Sequence, residues 1–527
     1  MRKRSRACEE CHRLKIKCDV SADLGACERC SRNNLECTPA APRLQRDRIQ
    51  ELETQVQELK VALREQNDSR TPSQSPGSLL EDTHNAILSF VDTRIPLDKQ
   101  QFLLDVYAHR AGAVWPVIRL NADLDAIRAK SPVLLLSVLA YCDTHMAQGT
   151  DLAVHDELVR ETVRVLADEV ITRGQRSLEL VQALLIMAFW NKATRKGYQG
   201  SCYQIAQLAA DMAIDLGIAG PSLQPSPVAY FSHHEDPTSL EARRTWLACY
   251  LLLSASSLQT RRPHATPWDS HHEECVSQLE ANGLPSDILL CQIVRITQVT
   301  QEIAEHLHLC RLGSFIDGNN CDTHAAMELL RTKVDAWAAQ VPVTFAHSQT
   351  LKVWHHTAMI HIYELALHTP TNKPAFTAPY IPGRIPVKDF PKPITCIPPL
   401  VTALQTLIHH CHGVIDAAGE MDPALVIGLP TFCFAPNVLY SLFVLVTMFA
   451  AATDPANTYG QYISADSFLI EQCGMKLQRL SARLKVADPT MSCYTTRLID
   501  ALGWLEQWYK DFNAIVQRYK ANVAKVD

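Results

Sequence analysis

The chain has 527 residues, 47% of them apolar, so it is long enough for several domains and a large core. Its net charge of −6 excludes a uniformly basic nucleic-acid-binding protein. The charge is unevenly distributed along the chain. Residues 1–48 hold 12 Lys and Arg against 7 Asp and Glu, a net charge of +5, which leaves −11 for the remaining residues. This asymmetry predicts that any polyanion partner binds near the N-terminus.

Residues 1–7 form a basic arm, with Arg2, Lys3 and Arg4 directly after Met1. This start is not a secretory signal, which would require an apolar stretch. The arm could contact DNA phosphates or act as a nuclear import signal. The alternative is that it is a solvated, charged terminus without a function of its own. We expect an intracellular protein whose 18 cysteines are thiols rather than disulfides.

Six cysteines repeat one spacing twice between residues 8 and 37. The pattern is C-x2-C-x6-C followed, after eight residues, by an identical copy. Zinc prefers four tetrahedral ligands, so six thiolates serve two zinc ions only if two sulfurs bridge both metals. We predict two zinc ions per chain and a domain at 8–37 that folds around them, because ~40 residues bury too little apolar surface to fold unaided. The predicted ligands are Cys8, Cys11, Cys18, Cys27, Cys30 and Cys37.

This segment resembles the DNA-binding domain of the fungal binuclear zinc-cluster transcription factors. Residues 7–19, ACEECHRLKIKCD, are similar to the family's run C-x2-C-[basic]-x-x-K-x-K-C-D. One departure is Gly25, two residues before the fourth cysteine, where the family usually has proline. The resemblance implies two shared ligands: Cys8 and Cys27 bridge, Cys11 and Cys18 complete one zinc, and Cys30 and Cys37 complete the other.

Basic side chains crowd the segment between Cys11 and Cys18, and we expect a short helix starting near Cys11 to direct them to the major groove. By the resemblance, Lys15 would read guanine in a CGG triplet of double-stranded DNA, since lysine beside guanine O6 and N7 is a common base contact. Phosphate contacts position a protein without specifying sequence. The remaining candidates for DNA contact are Arg13 and Lys17 on phosphates, His12 beside a phosphate rather than on a metal, and Leu14.

Residues 38–48 are predicted to be a linker and residues 49–66 a coiled-coil dimerisation helix. Branched residues at the a positions and leucine at d favour a parallel pair. The alternative is an amphipathic helix packed on the body. A homodimer would read two half-sites, at a separation set by residues 38–48. The apolar residues of the seam are spaced three and four apart: Ile49, Leu52, Val56, Leu59 and Leu63.

Residues 67–80 predict a disordered linker, and residues 81–527 predict a large all-α regulatory domain with a proline-rich loop at 368–399. The apolar run Val438–Ala452 is too short to span a bilayer comfortably, so we interpret it as a buried helix and expect no membrane partner. The main predicted helical stretches are 131–142, 178–191, 197–218, 241–258, 291–309, 324–340, 351–367, 398–416, 436–452 and 491–519.

Several phrases of this body resemble the fungal middle homology region. They are FLLDVYAHRAGAVWPVI at 102–118, SPVLLLSVLA at 131–140, AQLAADMAIDLGI at 206–218 and EARRTWLACYLLL at 241–253. The resemblance implies a nuclear regulator of RNA polymerase II transcription that binds CGG-type half-sites as a dimer and contacts the transcription machinery. Pathway-specific control, for example of a metabolic gene cluster, is the usual role of relatives this size, and we expect that the helices could enclose a cavity for a small-molecule effector.

The alternative functions are a zinc-cluster module that binds protein and an enzyme tethered to DNA. The basic run argues against the first. No Gly-rich phosphate loop and no zinc-hydrolase spacing supports the second, so we expect no enzyme. Histidine groups at 271–274, 354–368 and 409–412 are expected to be core or boundary residues rather than ligands.

Overall fold

The computed structural model describes residues 7–19, 25–39, 76–120, 123–142, 152–191, 202–227, 229, 235–264, 266–491 and 493–523. The chain divides into two compact units, Met1–Asp82 and Thr83–Asp527. Neither the predicted dimer helix at 49–66 nor most of the two linkers lies within the described residues.

The first unit contains two copies of one small motif. Helix α1 (Glu9–Arg13) and helix α2 (Glu28–Arg32) each follow a cysteine at the N-cap, and each is followed by a stretch without regular structure that leads to the third cysteine of its copy. Gly25, just before the second copy, has a φ of 63°. Glycine adopts this left-handed turn without strain, so the missing proline is no obstacle there.

The second unit is helical, and its described residues contain no strand, as the sequence predicts. Helix α4 widens into a π-helical turn at Tyr107–Ala111 and then continues to Val114, and α7 ends in a similar turn at Ala167–Thr172. The helices are α3 (Pro76–Asp92), α4 (Leu97–Val106), α5 (Leu124–Lys130), α6 (Pro132–Tyr141), α7 (Leu152–Leu166), α8 (Leu178–Phe189), α9 (Cys202–Asp215), α10 (Leu240–Thr260), α11 (Ser270–Asn282), α12 (Pro285–His306), α13 (Cys321–Gln340), α14 (Gln349–Tyr363), α15 (Pro398–Glu420), α16 (Pro423–Gly428), α17 (Thr431–Thr453), α18 (Ile470–Ala487), α19 (Tyr494–Asp500) and α20 (Gly503–Val523).

Local sequence explains where many of these helices begin. The hydroxyls of Ser177, Ser239 and Ser348 each accept a backbone N–H three residues further on, which satisfies a free donor at the helix start. Helices α12 and α15 instead begin at a proline, Pro285 and Pro398. Proline suits the first turn, where its missing N–H has no partner to lose.

Three of the differences between the predicted element bounds and the structure have a local cause. Helix α3 begins at Pro76, inside the segment 67–80 that was expected to be disordered, because proline suits a first helical position. The opening helix expected at 102–118 ends at Val114, since Pro116 disfavours helical geometry at Trp115. The stretch 491–519 is two helices, α19 and α20, which separate just before Gly503, a weak helix former.

Helix α17 lies in the centre of the large unit. It packs against α8, α10, α14 and α15 and against the three helices that follow it. From Cys433 to Thr453 this helix is long and apolar enough to cross a membrane, yet most of that stretch is buried by its neighbours. The interpretation of Val438–Ala452 as a buried helix therefore agrees with the structure.

The proline-rich segment between α14 and α15 is fastened to the core by polar contacts. Its regular structure is limited to short 3-10 turns such as Lys373–Phe376 and Pro382–Arg384. Phe376 is fully buried, and its carbonyl accepts a hydrogen bond from the Arg261 guanidinium (3.1 Å). Arg261 itself is buried at the end of α10 and pairs with Glu364 just beyond α14 (2.8 Å).

Candidate metal centre and nucleic-acid interface

The six predicted zinc ligands converge in the first unit. Cys8 and Cys27 are the N-caps of α1 and α2, and Cys11 and Cys30 lie buried one turn later. The third cysteine of each copy returns to its own N-cap. The Sγ of Cys18 accepts the Cys8 N–H (3.3 Å), and the Sγ of Cys37 accepts the Cys27 N–H (3.2 Å).

The sulfur–sulfur distances fit the predicted metals. A Zn–S bond of ~2.3 Å in a tetrahedron places two ligand sulfurs about 3.8 Å apart. The Sγ of Cys8 lies 3.8 Å from that of Cys27 and 3.6 Å from that of Cys30, and the Sγ atoms of Cys11 and Cys27 are 3.7 Å apart. Each of these pairs shares a zinc in the ligand sets that the resemblance implies, so the residues present fit two zinc ions.

Hydrogen bonding makes the N-cap thiols the easiest to deprotonate. The Cys30 N–H donates to the Cys27 Sγ (3.4 Å) and lowers the pKa of Cys27 to about 6. The Cys11 backbone amide likewise lowers the pKa of Cys8. Burial raises the pKa of Cys11 to about 12. Because the thiolate is the metal ligand, the helix N-termini favour charge at the two positions implied to bridge both metals.

Arg29 also acts on the cysteine cluster, although no pattern in the sequence indicated this role. Its side chain approaches Cys11 and opposes the effect of burial by lowering the pKa of that thiol. Six thiolates on two zinc ions leave a net negative charge, and a guanidinium beside them offsets it.

The predicted DNA-contacting side chains lie on the surface of the first copy. All residues from His12 to Lys17 are exposed, including the apolar Leu14 and Ile16. Helix α1 ends at Arg13, however, so Lys15 and Lys17 lie beyond the short helix that was expected to present them. The exposed ion pairs made by Arg13 and Lys17, with Glu10 (2.8 Å) and Asp19 (3.1 Å), are of a kind that contributes little stability.

Lys15 has an unusual backbone conformation that ends α1. Its φ is 53°, in the left-handed region that few residues other than glycine and asparagine adopt. The Lys15 N–H donates to the His12 carbonyl (3.2 Å), and the next residue, Ile16, donates to the Cys11 carbonyl (3.1 Å). These bonds close the helix and fix where the Lys15 side chain leaves the backbone.

The second copy has the same backbone without the same charge. Asn34 occupies the position equivalent to Lys15, with a φ of 52°, and the following Leu35 N–H donates to the Cys30 carbonyl (2.9 Å). The residue equivalent to Lys17 is Glu36. The duplicated scaffold therefore presents lysines at these two positions in its first half alone.

The signature helix α10 of the large unit is held by buried arginines. Arg244 makes two hydrogen bonds to the Asp287 carboxylate (2.6 and 2.9 Å), and Arg243 pairs with Glu274 (2.7 Å). Ser254 of the same helix is hydrogen-bonded to the His264 ring (2.9 Å). Eleven of the remaining twelve cysteines are buried, but Cys321 at the start of α13 is exposed.

Comparison with known families and proteins matches both parts of the chain. Residues 6–47 match the model of the fungal Zn(2)-Cys(6) binuclear cluster domain, and residues 133–288 match the fungal specific transcription factor domain. No solved structure matches the chain.

Curated relatives that match are fungal regulators. Transcription factor pbcR of Emericella nidulans is 25% identical over 73% of this chain and 50% of its own length. Transcription factor opdL of Penicillium oxalicum is 23% identical over 58% of this chain and 57% of its own. Transcriptional regulator WAR1 of Candida albicans is 22% identical over 39% of this chain and 22% of its own. The chain thus spans about half the length of the first two relatives.

Both the cysteine geometry and the matched domains lead to one conclusion. The N-terminal domain is a Zn2Cys6 cluster that binds two zinc ions, and the large helical unit contains the companion regulatory domain. The family is one of DNA-binding regulators rather than enzymes. The chain therefore combines a fungal Zn(2)-Cys(6) binuclear cluster domain with a fungal specific transcription factor domain.

Proposed function

We propose that the chain is a nuclear, sequence-specific regulator of RNA polymerase II transcription that binds CGG-type triplets as a homodimer. The observation that carries the proposal is Lys15, an exposed lysine set by the metal-held backbone at the end of α1. The match to the fungal Zn(2)-Cys(6) cluster domain supports the nucleus as the location of the protein. In this proposal the helical domain contacts the transcription machinery and regulates the genes of one pathway.

The proposed ligand sets are those that the resemblance implies. Cys8 and Cys27 would bridge two zinc ions, Cys11 and Cys18 would complete the first, and Cys30 and Cys37 would complete the second. The near-tetrahedral separations within the group support this division. Metal binding then fixes α1 and the turn after it, so that Lys15 meets guanine while Arg13, Lys17 and His12 lie near phosphates and Leu14 near the groove.

The proposed dimer depends on residues outside the described part of the chain. The seam Ile49, Leu52, Val56, Leu59 and Leu63 has the spacing of a parallel coiled coil. It covers fewer than three heptads, and helices this short are marginal in isolation. Two triplets on one duplex would therefore stabilise the dimer, and a duplex with one triplet should bind more weakly.

We expect Lys15→Asn to weaken binding to a two-triplet CGG duplex by about 5- to 150-fold, which corresponds to about 1–3 kcal/mol. Asparagine accepts the left-handed backbone, as Asn34 does in the second copy, so the substitution removes the charge without straining the turn. Fluorescence anisotropy with CGG and scrambled duplexes measures the change.

The matched control is Asn34→Gly, which keeps a left-handed backbone at the equivalent position of the second copy and should leave DNA affinity unchanged. Lys17→Ala should weaken both duplexes alike and lower the salt dependence by about one unit of slope. Equal loss on CGG and scrambled DNA for Lys15→Asn would contradict its role as the base-reading residue.

The large unit also offers a site for the proposed small-molecule effector. A cavity of about 490 Å³ lies between α17, α19 and the start of α20, within the size range of ligand pockets. Among the described residues its lining is mainly apolar and aromatic, with Tyr380, Leu439 and Trp504, and it also includes the polar residues Asn191 and Thr431. These features favour a small, mainly apolar molecule with a few hydrogen-bonding groups.

A panel of such molecules should include ligands that raise the melting temperature of the wild-type protein. Leu439→Trp narrows the cavity and should abolish that shift, because the indole takes the ligand's place. Ile515→Trp, on an exposed part of α20, is the control and should keep the shift. Equal shifts in both variants would place the ligand elsewhere.

A further inference from the structure

Two histidine groups that are far apart in sequence meet between α14 and α15. His355 and His356 lie on α14, and His410 lies on α15. The Nδ1 atoms of His356 and His410 are 2.8 Å apart. One ring nitrogen from each of the three histidines lies within 4.8 Å of the other two. Three imidazoles therefore converge where α14 packs along α15.

A glycine makes room for this arrangement. A Cβ built on Gly413 of α15 would lie 2.4–2.6 Å from three atoms of the His356 ring, closer than any real contact. The His356 imidazole therefore occupies the space that the Cβ of any residue other than glycine would take at position 413. Glycine inside a helix costs ~1 kcal/mol relative to alanine, so the helix is weakened where the ring of His356 is admitted.

The chemistry of the group suits a divalent transition metal. Neutral imidazole is a good ligand for zinc, copper and nickel. Each neutral ring has one lone pair, and a bound ion would take the place of the hydrogen bond between the two Nδ1 atoms. Zn–N bonds of ~2.0–2.1 Å in a tetrahedron need nitrogens about 3.3 Å apart, so the 2.8 Å pair has only to open by about 0.5 Å.

The surroundings leave space and charge for a cation. His355 and His356 are half-buried, which leaves one side of the group accessible for a water ligand. The Asp335 and Asp416 carboxylates lie close enough to act on the histidine rings, and Lys352 opposes them.

We propose that His355, His356 and His410 form a third metal site, separate from the zinc cluster, which binds a divalent transition ion and joins α14 to α15. An ion held by both helices would stabilise the folded domain, and the more so the further the free ion concentration exceeds its Kd. The alternative is a hydrogen bond between His356 and His410 with no ion, and the experiment below separates the two.

The test uses the full chain, equilibrated with zinc and separated from free metal by gel filtration, with zinc counted by elemental analysis. Wild type should hold three zinc ions per chain, and added zinc should raise the melting temperature of the helical domain. His410→Ala should hold two and lose the shift. A wild-type count of two with no thermal shift would overturn the proposal in favour of the hydrogen bond.

Gly413→Ala is the sharper variant because it keeps all three imidazoles and improves helix propensity. It should displace the His356 ring and bring the count to two, while the helical circular dichroism stays unchanged. His347→Ala removes an exposed histidine and should keep three zinc ions. Three zinc ions in both His410→Ala and Gly413→Ala would show that the extra ion lies elsewhere and contradict the assignment.

Discussion

Removal of zinc should unfold residues 7–39 and abolish DNA binding, while the helical domain stays folded. The buried residues of the described first unit are cysteines, so there is no apolar core to hold it without metal. Structural zinc typically supplies ~10–16 kcal/mol to domains of this kind, which exceeds their whole stability. Anisotropy with a CGG duplex and limited proteolysis, before and after a strong chelator, measure both effects.

Cys27→Ser tests the same dependence without a chelator. It removes a proposed bridging ligand, so both metals should be lost together and DNA binding should fall to the nonspecific level. Cys321→Ser is the matched control because Cys321 is an exposed thiol of the helical domain, and it should leave zinc content of the cluster and DNA affinity unchanged. DNA affinity that survives chelation or Cys27→Ser would contradict the metal-held interface.

Glu364→Gln should lower the free energy of unfolding of the helical domain by about 3–5 kcal/mol. The Glu364 carboxylate is completely buried, pairs with the Arg261 guanidinium (2.8 Å) and accepts a hydrogen bond from the Tyr440 hydroxyl. Neutralising Glu364 leaves a buried guanidinium without a countercharge. Urea unfolding followed by helical circular dichroism measures the loss.

Two further variants distinguish the stability effect of this buried ion pair from that of an exposed one. Glu157→Gln breaks a partly exposed pair with Arg94 (2.7 Å) and should cost less than ~1 kcal/mol. Replacing both buried partners, Arg261→Met with Glu364→Leu, should recover much of the stability, because neither charge then remains buried alone. A double variant as unstable as the sum of the single ones would refute this account.

The same pair predicts the response to acid. Burial alone would raise the pKa of Glu364, but the Arg261 guanidinium outweighs it and holds this pKa well below the usual range. A carboxylate whose pKa is lower in the folded state stabilises the fold above the unfolded pKa of ~4.3. Its contribution is therefore present at neutral pH and declines as the pH falls below about 4.

Local patterns in the sequence were enough to predict the zinc cluster and most helices. The repeated cysteine spacing depends on a few neighbouring residues, and helical periodicity is equally local. Backbone detail was harder. The sequence did not show that Lys15 leaves the helix in a left-handed conformation, because lysine seldom adopts one and the metal-held loop imposes it.

Contacts between distant residues could not be predicted in the same way. Arg261 and Glu364 are more than 100 residues apart, and each alone reads as a surface charge in sequence. His356 and His410 are separated by 54 residues, and only the packing of α14 on α15 brings their rings together. Such pairings become visible only in the assembled fold, because no short pattern in the sequence indicates which distant residues will meet.

The central position of α17 has a consequence for how the protein is synthesised. Three of the helices that cover it, α18, α19 and α20, are translated after it. Until they arrive, the nascent chain exposes a helix that resembles a membrane span in length and composition. Expression fragments that end near residue 460 would keep that apolar surface uncovered and aggregate, so a soluble fragment of the regulatory domain has to extend through α20.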